Sequence, residues 1–112
     1  METKKKQVSA DLARVGEARH FIAWTGAVAG LGRGRLNDLA VAAEAVLTDI
    51  LLSAHEGVLE IESQSTDDAL EVRIMHPELA ERRMRDLPGI LERFLDDYEI
   101  SATRAVLVKR LG

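Results

Sequence analysis

The chain contains no cysteine, and this absence excludes several kinds of site at once. Disulfide bonds, thiolate zinc sites and cysteine nucleophiles all require a thiol group, which the sequence does not provide. The absence also fits a reducing compartment, so the sequence predicts a cytoplasmic location. The charged residues 1–6 are not followed by the long apolar run of a signal peptide or a membrane span, and neither secretion nor membrane insertion is expected.

Aromatic residues are also scarce, at 4% of the sequence, while 46% of the residues are hydrophobic. The core must therefore be built mainly from Leu, Ile, Val and Ala. A formal charge of -4 argues against binding to nucleic acid, because phosphates are neutralised by a basic surface. The two basic clusters, at residues 4–6 and 82–85, are interpreted as solvated charge because acidic residues flank them.

The sequence shows no internal repeat, no low-complexity tract and no linker rich in Pro, Gly and Ser. A length of 112 residues lies in the usual range for one domain and is too short for two independent cores. We therefore expect a single domain that covers residues 1–112.

The first third of the chain predicts a strand followed by a helix. Residues 4–8 can extend as a strand, and Ser9 or Asp11 can cap the helix that follows. That helix is expected to end near Gly30. The glycine-rich segment 30–34 is interpreted as a helix stop and a turn, because it lacks the Lys-Ser/Thr pair and the preceding buried strand of a phosphate-binding loop.

The middle of the chain carries the strongest helical pattern. From residue 36 to residue 54 the apolar side chains recur at helical spacing, and Gly57 is expected to cap this helix at its C-terminus. Two strands, 58–63 and 69–75, should then form a hairpin. Apolar and polar residues alternate in the second strand, which predicts one buried and one wetter face.

The last third predicts a helix around residues 90–95 with a Pro-Gly pair ahead of it, and strands at 98–100 and 102–109. Residues 77–85 are compatible with a short helix or a loop. The resulting order is strand, helix, helix, strand, strand, helix, strand, with room for a fifth short strand. It predicts an α+β two-layer sandwich, in which a small mixed or antiparallel sheet carries about three helices on one face.

Four stretches of the chain resemble, in this order, the anti-sigma-factor serine kinases, whose domain belongs to the histidine-kinase-like ATPase (GHKL) superfamily. The stretches are residues 10–14, 39–46, 89–100 and 102–111. The resemblance lies in their order and spacing and spans most of the chain. It implies a GHKL-like (Bergerat-like) sandwich, ATP and magnesium as the cofactors of the family, and a sigma factor or a small antagonist domain of the STAS type as the protein partner.

In that family, a Glu-x-x-x-Asn pair on the second helix positions the attacking water or hydroxyl and holds magnesium. The matching positions here are Glu44 and Thr48. Thr48 offers a single hydroxyl oxygen in place of the asparagine carbonyl, and Asp49 is turned by about 100° around the helix axis. Glu44 is either a remnant general base or a partly exposed helix residue that meets Thr48 or solvent, and the second interpretation is favoured.

The family's other two nucleotide motifs are largely missing. Residues 74–78 stand where the adenine-binding Asp-x-Gly-x-Gly would be, and His76 in this stretch is interpreted as exposed polar surface. Of the phosphate-binding glycines only Gly89 is present, and Thr103 matches the threonine of the last strand. The resemblance therefore implies remnant positions at Thr48, His76, Gly89 and Thr103, with no bound cofactor and no metal site.

Three functions remain open for such a chain. The favoured one is a regulatory protein-binding domain, similar to an anti-sigma factor or a partner-switching module, that has lost ATP binding. The second is a divergent ATP-dependent serine kinase that uses Glu44 as a base and Thr48 or Asp49 as a magnesium ligand. The third is a structural or dimeric scaffold, and a homodimer is compatible with each of them.

The polar side of the first helix is the candidate surface for a protein partner. It displays Arg14, Glu17, Arg19 and His20. Trp24 lies farther along the same helix, where it is either a half-exposed anchor for the partner or part of the core. The core is the favoured interpretation for Trp24.

Overall fold

Five strands and three α-helices make up the two layers of the fold. The computed structural model describes residues 2–53, 56–77, 87–101 and 103–111. The strands are β1 (Glu2–Ser9), β2 (Val58–Ser65), β3 (Ala69–Met75), β4 (Asp97–Ile100) and β5 (Arg104–Arg110). The helices are α1 (Val15–Ala29), α2 (Arg33–Ser53) and α3 (Leu87–Phe94), and a single 3-10 turn (Leu12–Arg14) precedes α1.

The strands form one sheet in the order β1-β2-β3-β5-β4, and every neighbouring pair is antiparallel. The predicted hairpin is formed by β2 and β3, with Glu62 opposite Arg73. β4 is the additional short strand for which the predicted order left room. The helices pack on one face of the sheet, so the predicted α+β two-layer sandwich is confirmed, and the sheet is antiparallel rather than mixed among the described strands.

The side of the sheet that faces the helices carries mostly apolar residues. In β3, Leu70, Val72 and Ile74 are buried and the residues between them are only partly covered, as the alternation predicts. Leu59 and Ile61 occupy the same side of β2. These side chains form the sheet half of the hydrophobic core.

α2 supplies the largest share of the helix half of the core. Its buried apolar residues follow helical spacing and are Leu39, Ala42, Ala43, Val46, Leu47, Ile50 and Leu51. Burying one such leucine or isoleucine contributes about 1.5–3 kcal/mol relative to leaving it exposed, so this stripe determines which side of α2 faces the sheet. None of the described helices, α2 included, combines the length and the apolar character that a membrane span requires.

α1 ends at Gly30, as predicted. Gly30 has a φ of 100°, its N–H donates to the main-chain oxygen of Ala27, and the N–H of Leu31 donates to that of Gly26. These two hydrogen bonds satisfy carbonyl groups that the helix end would otherwise leave without a donor. A left-handed residue is required at this position, and glycine adopts that conformation without steric cost.

The turn between α1 and α2 is shorter than predicted. Residues 30–34 were expected to form it, but only residues 30–32 lie between the two helices. α2 begins at Arg33, and Gly34 lies inside its first turn. The N–H of Leu36 donates to the main-chain oxygen of Gly32 at 2.8 Å. The donor and the acceptor are four residues apart, as in an α-helix. The left-handed residue at Gly30 already reverses the chain, so further glycines are not needed for the turn.

Two predictions fall partly outside the described residues. Gly57, expected to cap α2, has a φ of 89° and lies directly before β2, where its carbonyl accepts from the N–H of Ala10. Residues 54–55, which follow α2, are outside the described part of the chain. Of the segment 77–85, only Pro77 is described.

The third helix begins earlier than predicted. Pro88 and Gly89 were expected ahead of it, but both belong to the first turn of α3. Proline is well suited to the first turn of a helix, because its fixed φ is already helical and its missing N–H would have had no partner inside the helix. Leu91 within α3 and Leu95 directly after it are buried in the core.

α1 and α2 approach each other closely at Gly26. A Cβ atom at this position would lie 2.7 Å from Cδ1 of Leu36 and 3.1 Å from Cδ1 of Leu31. Cβ atoms essentially never make contacts as short as 2.7 Å. The absence of a side chain at Gly26 therefore allows Leu36 to pack against α1. By contrast, Gly16 near the start of α1 has open space around it.

Lys109 is a buried charged residue that connects β5 to α3. Its ammonium group donates to the main-chain oxygen of Phe94 at 2.8 Å. The same nitrogen lies 3.5 Å from Oδ2 of Asp38 and 3.9 Å from Oδ2 of Asp96. Phe94 is the last residue of α3, where a positive charge interacts favourably with the carbonyl end of the helix dipole.

Candidate functional site

Glu44, the position matched to the family's catalytic glutamate, is paired with an arginine of the neighbouring helix. Arg19 of α1 donates from Nη1 to Oε1 of Glu44 across 2.9 Å. The Glu44 side chain is 47% exposed, as the favoured interpretation expects, but its side-chain partner is Arg19 rather than Thr48. A guanidinium on one carboxylate oxygen competes with any substrate hydroxyl for that oxygen.

Thr48 and Asp49, the positions considered for magnesium, lie one turn farther along α2. Both are partly buried. Thr48 is four residues after Glu44 and shares its side of the helix, whereas Asp49 is rotated by about 100° relative to Thr48. Within the described part of the chain, no three His, Asp or Glu side chains are grouped so as to hold a metal ion.

His76, expected on the exposed surface, is buried, with 2% of its area exposed. Its Nε2 lies 3.0 Å from the main-chain oxygen of Glu56. Because a carbonyl oxygen only accepts, Nε2 carries the proton in this contact. The main-chain N–H of His76 also donates to the carbonyl of Thr103. The alternation of β3 continues past its end, so His76 falls on the same inward side as Ile74, and this period was the signal that sequence reasoning missed.

The remaining remnant positions are not gathered in one place. A cleft of about 670 Å³ at one end of the sheet is lined by residues of β2, β3 and the turn between β4 and β5, including His76 and Thr103. Glu44, Thr48 and Gly89 are not among its described lining residues. Gly89 is exposed in the first turn of α3 and has open space where a Cβ would be. Of the four positions matched to nucleotide motifs, the structure thus brings His76 and Thr103 together in one cleft.

Trp24 lies on the surface, and the interpretation as a core residue is wrong. Its ring is 48% exposed and is tilted by 41° against the ring of Phe21, with centroids 6.1 Å apart. Ile22 takes the fully buried position of this turn. Residues two apart on a helix point about 200° away from each other, so burial of Ile22 directs Trp24 outward. Val28, one turn later, is 49% exposed and extends the apolar surface.

The exposed Trp24 and the partly buried Phe21 line a cleft between α1 and β1. This α1 cleft has a volume of about 400 Å³ and is lined by Lys6, Glu17, His20, Phe21 and Trp24. Of the five residues that the sequence analysis assigned to this surface, Glu17, His20 and Trp24 line one cleft. Arg14 lies beside the cleft and donates to Oε2 of Glu17 at 3.2 Å. Arg19 is turned to α2 instead and pairs with Glu44.

Two lysines of β1 were missed as members of this surface. The segment 4–6 was interpreted as solvated charge, which holds for Lys5, whose side chain is 74% exposed. Lys4 and Lys6 instead share the helix-facing side of β1. Nζ of Lys4 lies 5.5 Å from the centroid of the Trp24 ring, a cation–π contact, and Nζ of Lys6 lies 3.3 Å from Glu17. Lys4, Lys6 and Val8 are each two residues apart, and this spacing could have predicted that both lysines lie on the same side of β1 as the apolar Val8.

The chain matches no model of a protein family, and no curated protein matches it. The similarity to anti-sigma-factor kinases therefore depends on the order and spacing of four sequence stretches, and the functions it implies are proposals.

Proposed function

We propose that this chain is a regulatory protein-binding domain, similar to an anti-sigma factor or a partner-switching module, that acts in the cytoplasm without ATP or magnesium. Its partner would be a sigma factor or an antagonist domain of the STAS type. One observation carries the proposal: Trp24 is half exposed beside Phe21 and Lys4, in a cleft bordered by charged residues.

The composition of the α1 cleft supports binding to a protein. Interfaces are enriched in aromatic residues, and the residues that contribute most to affinity are often Trp or Tyr surrounded by a polar rim. Here the rings of Trp24 and Phe21 are bordered by Lys6, Glu17 and His20. The rings offer apolar area that a partner would remove from water, and the charged rim would select among partners.

The positions that match the nucleotide motifs support a function without ATP. Threonine stands in place of the magnesium-holding asparagine at Thr48, and Arg19 occupies one oxygen of Glu44. Within residues 74–78, which stand where the family has its adenine-binding motif, the His76 ring is buried against the carbonyl of Glu56 and is not presented to a base. Each departure weakens one part of nucleotide binding.

A titration with magnesium and ATP separates this proposal from the kinase alternative. A ligand at 100 times its dissociation constant stabilises the fold by about 2.7 kcal/mol, which thermal unfolding detects readily. We expect no shift. A shift for the wild type that disappears in Glu44→Gln would instead favour the divergent kinase.

Partner capture tests the surface itself. The tagged wild-type chain, Trp24→Ala and Val41→Ala would each be incubated with extract of the native cell, and the retained proteins identified by mass spectrometry. Val41 is a matched control, because it is an exposed apolar residue on α2. We expect a sigma factor or a STAS-type domain with the wild type and with Val41→Ala, and its loss with Trp24→Ala. Recovery of this chain alone would favour the scaffold alternative.

A further inference from the structure

Among the described strands, β1 lies at an edge of the sheet. It runs for 8 residues, Glu2–Ser9, and pairs with β2 along its whole length. In the sheet order β1-β2-β3-β5-β4, no other described strand lies beside it. An edge of this length presents a row of main-chain N–H and C=O groups that can accept a further strand.

The edge is basic on both faces of the sheet. Lys5 points to the face away from the helices, and its side chain is 74% exposed, with its nitrogen 3.8 Å from Glu62. Lys4 and Lys6 point to the helix face. A strand added at this edge would therefore meet positive charge whichever way its side chains alternate, and acidic side chains would complement it.

The same edge adjoins the α1 cleft. Strands in a sheet lie about 4.8 Å apart, and alternate side chains of an added strand would rise on the helix face. Lys6 of β1 belongs to the lining of the cleft together with Phe21 and Trp24 of α1. An apolar side chain from the added strand would thus reach the rings of Trp24 and Phe21, while its main chain pairs with β1.

We propose that the β1 edge binds an extended acidic segment of a partner protein as a sixth strand, with an apolar side chain of that segment seated in the α1 cleft. This inference rests on the proposed protein-binding function and specifies what the partner presents. Main-chain hydrogen bonds would provide affinity, and the lysines and the rings would provide selectivity.

The charge pattern argues against a second copy of this chain as the occupant. Two β1 strands paired about a two-fold axis at Lys5 would place Lys5 opposite Lys5 and Lys4 opposite Lys6. Like charges directly opposite each other destabilise a sheet. The other edge of the sheet, β4, carries Asp97 and Glu99 but has only 4 residues, half the length of β1.

The test uses the intact chain and a designed peptide in which Glu alternates with Val and Leu. Trp24 is the only tryptophan, so its fluorescence reports directly on the α1 cleft. Three peptides are compared: the acidic one, the same peptide with Lys in place of Glu, and the acidic peptide N-methylated at every residue. N-methylation keeps the charge but removes the main-chain donors along both edges of the peptide.

We expect the acidic peptide to bind, to change the emission of Trp24, and to bind at least about tenfold more weakly to Lys5→Glu. Arg33→Glu is the matched control, since it makes the same change of charge at an exposed position on α2, and it should bind like the wild type. The basic and the N-methylated peptides should not bind. Equal binding of the N-methylated peptide, or no binding of the acidic peptide at about 1 mM, would overturn the proposal.

Two further results keep this inference separate from the proposed function. If a captured partner depends on Trp24 but the acidic peptide does not displace it, protein binding stands and strand addition at β1 fails. If the peptide binds as expected but no partner is captured, strand addition stands and the proposed regulatory function fails. A dimer in sedimentation experiments that Lys5→Glu disrupts would assign the edge to a second copy and overturn the inference.

Discussion

Arg19 of α1 and Glu44 of α2 form a charged hydrogen bond of 2.9 Å between the two long helices. The resemblance to the anti-sigma-factor kinases matches Glu44 to the glutamate that positions the attacking hydroxyl in that family, and here Arg19 donates a hydrogen bond to one of its oxygens. The pair is half exposed, at 45% and 47% of the two side chains, so water screens the attraction. The contact therefore restricts the chemistry of Glu44 more than it stabilises the fold.

A double-mutant cycle on this pair checks that statement. For Arg19→Ala, Glu44→Ala and the double variant, urea denaturation should give a coupling free energy of about 0.2–1 kcal/mol, as for other exposed ion pairs. The coupling should decrease in high salt. A value several times larger would show that the pair is a structural link between the helices.

Trp24 and Ile22 should differ strongly in their effect on stability. Ile22 is fully buried, and Ile22→Ala is expected to lower the free energy of unfolding by about 2–5 kcal/mol. Trp24→Ala should cost about 1 kcal/mol or less, because the ring is half exposed. Chemical denaturation followed by circular dichroism measures both. A larger loss in the free energy of unfolding for Trp24→Ala than for Ile22→Ala would place Trp24 in the core. It would also remove the basis for a binding surface on α1.

His76 should behave as a structural residue. His76→Ala removes the donor to the carbonyl of Glu56 and leaves space in a buried region, so we expect a loss of about 1–3 kcal/mol in the free energy of unfolding. Thr103→Ala is the control, because its side chain is exposed and only its main chain accepts from His76. An unchanged stability for His76→Ala would contradict the buried position.

Lys109 should contribute more to stability than an exposed lysine. Lys109→Met keeps most of the aliphatic stem but removes the donor to the carbonyl of Phe94 and the charge beside Asp38 and Asp96. We expect a loss of about 1–3 kcal/mol, since the carbonyl and the carboxylates lose their counterpart. Lys5→Met, at an exposed site, should change the stability by less than about 0.5 kcal/mol. Equal effects in urea denaturation would contradict this difference.

Two glycines of α1 should respond to alanine in opposite directions. Gly16→Ala adds a methyl group in open space and should stabilise the helix by about 0.5–1 kcal/mol. Gly26→Ala brings a methyl group against Leu36, and overpacking should cost about 1–3 kcal/mol before the gain in helix propensity is subtracted. Thermal unfolding of the two variants gives the sign directly. A stabilised Gly26→Ala would mean that α2 moves easily away from α1.

The fold was predictable because its elements have clear periods. Leu70, Val72 and Ile74 alternate along β3, and the stripe from Leu39 to Leu51 has helical spacing, so both elements and their buried sides followed from the sequence. The ends of the elements were less accurate. Helix starts depend on hydrogen bonds of one or two residues, such as the N–H of Leu36 to Gly32, and periodicity does not contain that information.

The surface was less predictable, because it depends on contacts between distant parts of the chain. Arg19 meets Glu44 only after α1 and α2 pack together. Lys109 is buried because α3 supplies the carbonyl of Phe94, and no local pattern indicates such a partner. Trp24 follows apolar neighbours in sequence, and its exposure depends on which side of α1 packs against α2 and the sheet.

The pairing of β1 with β2 also determines when the edge strand can form. Ser9 pairs with Val58, so both long helices lie between the two strands in the chain. β2 with β3 and β4 with β5 are joined by short turns, and such local pairs close quickly, whereas pairing over a long separation is slow. During synthesis the lysine-rich β1 therefore cannot pair until β2 has left the ribosome. Substitutions in β1 would act on this long-range pairing, and refolding rates would report it.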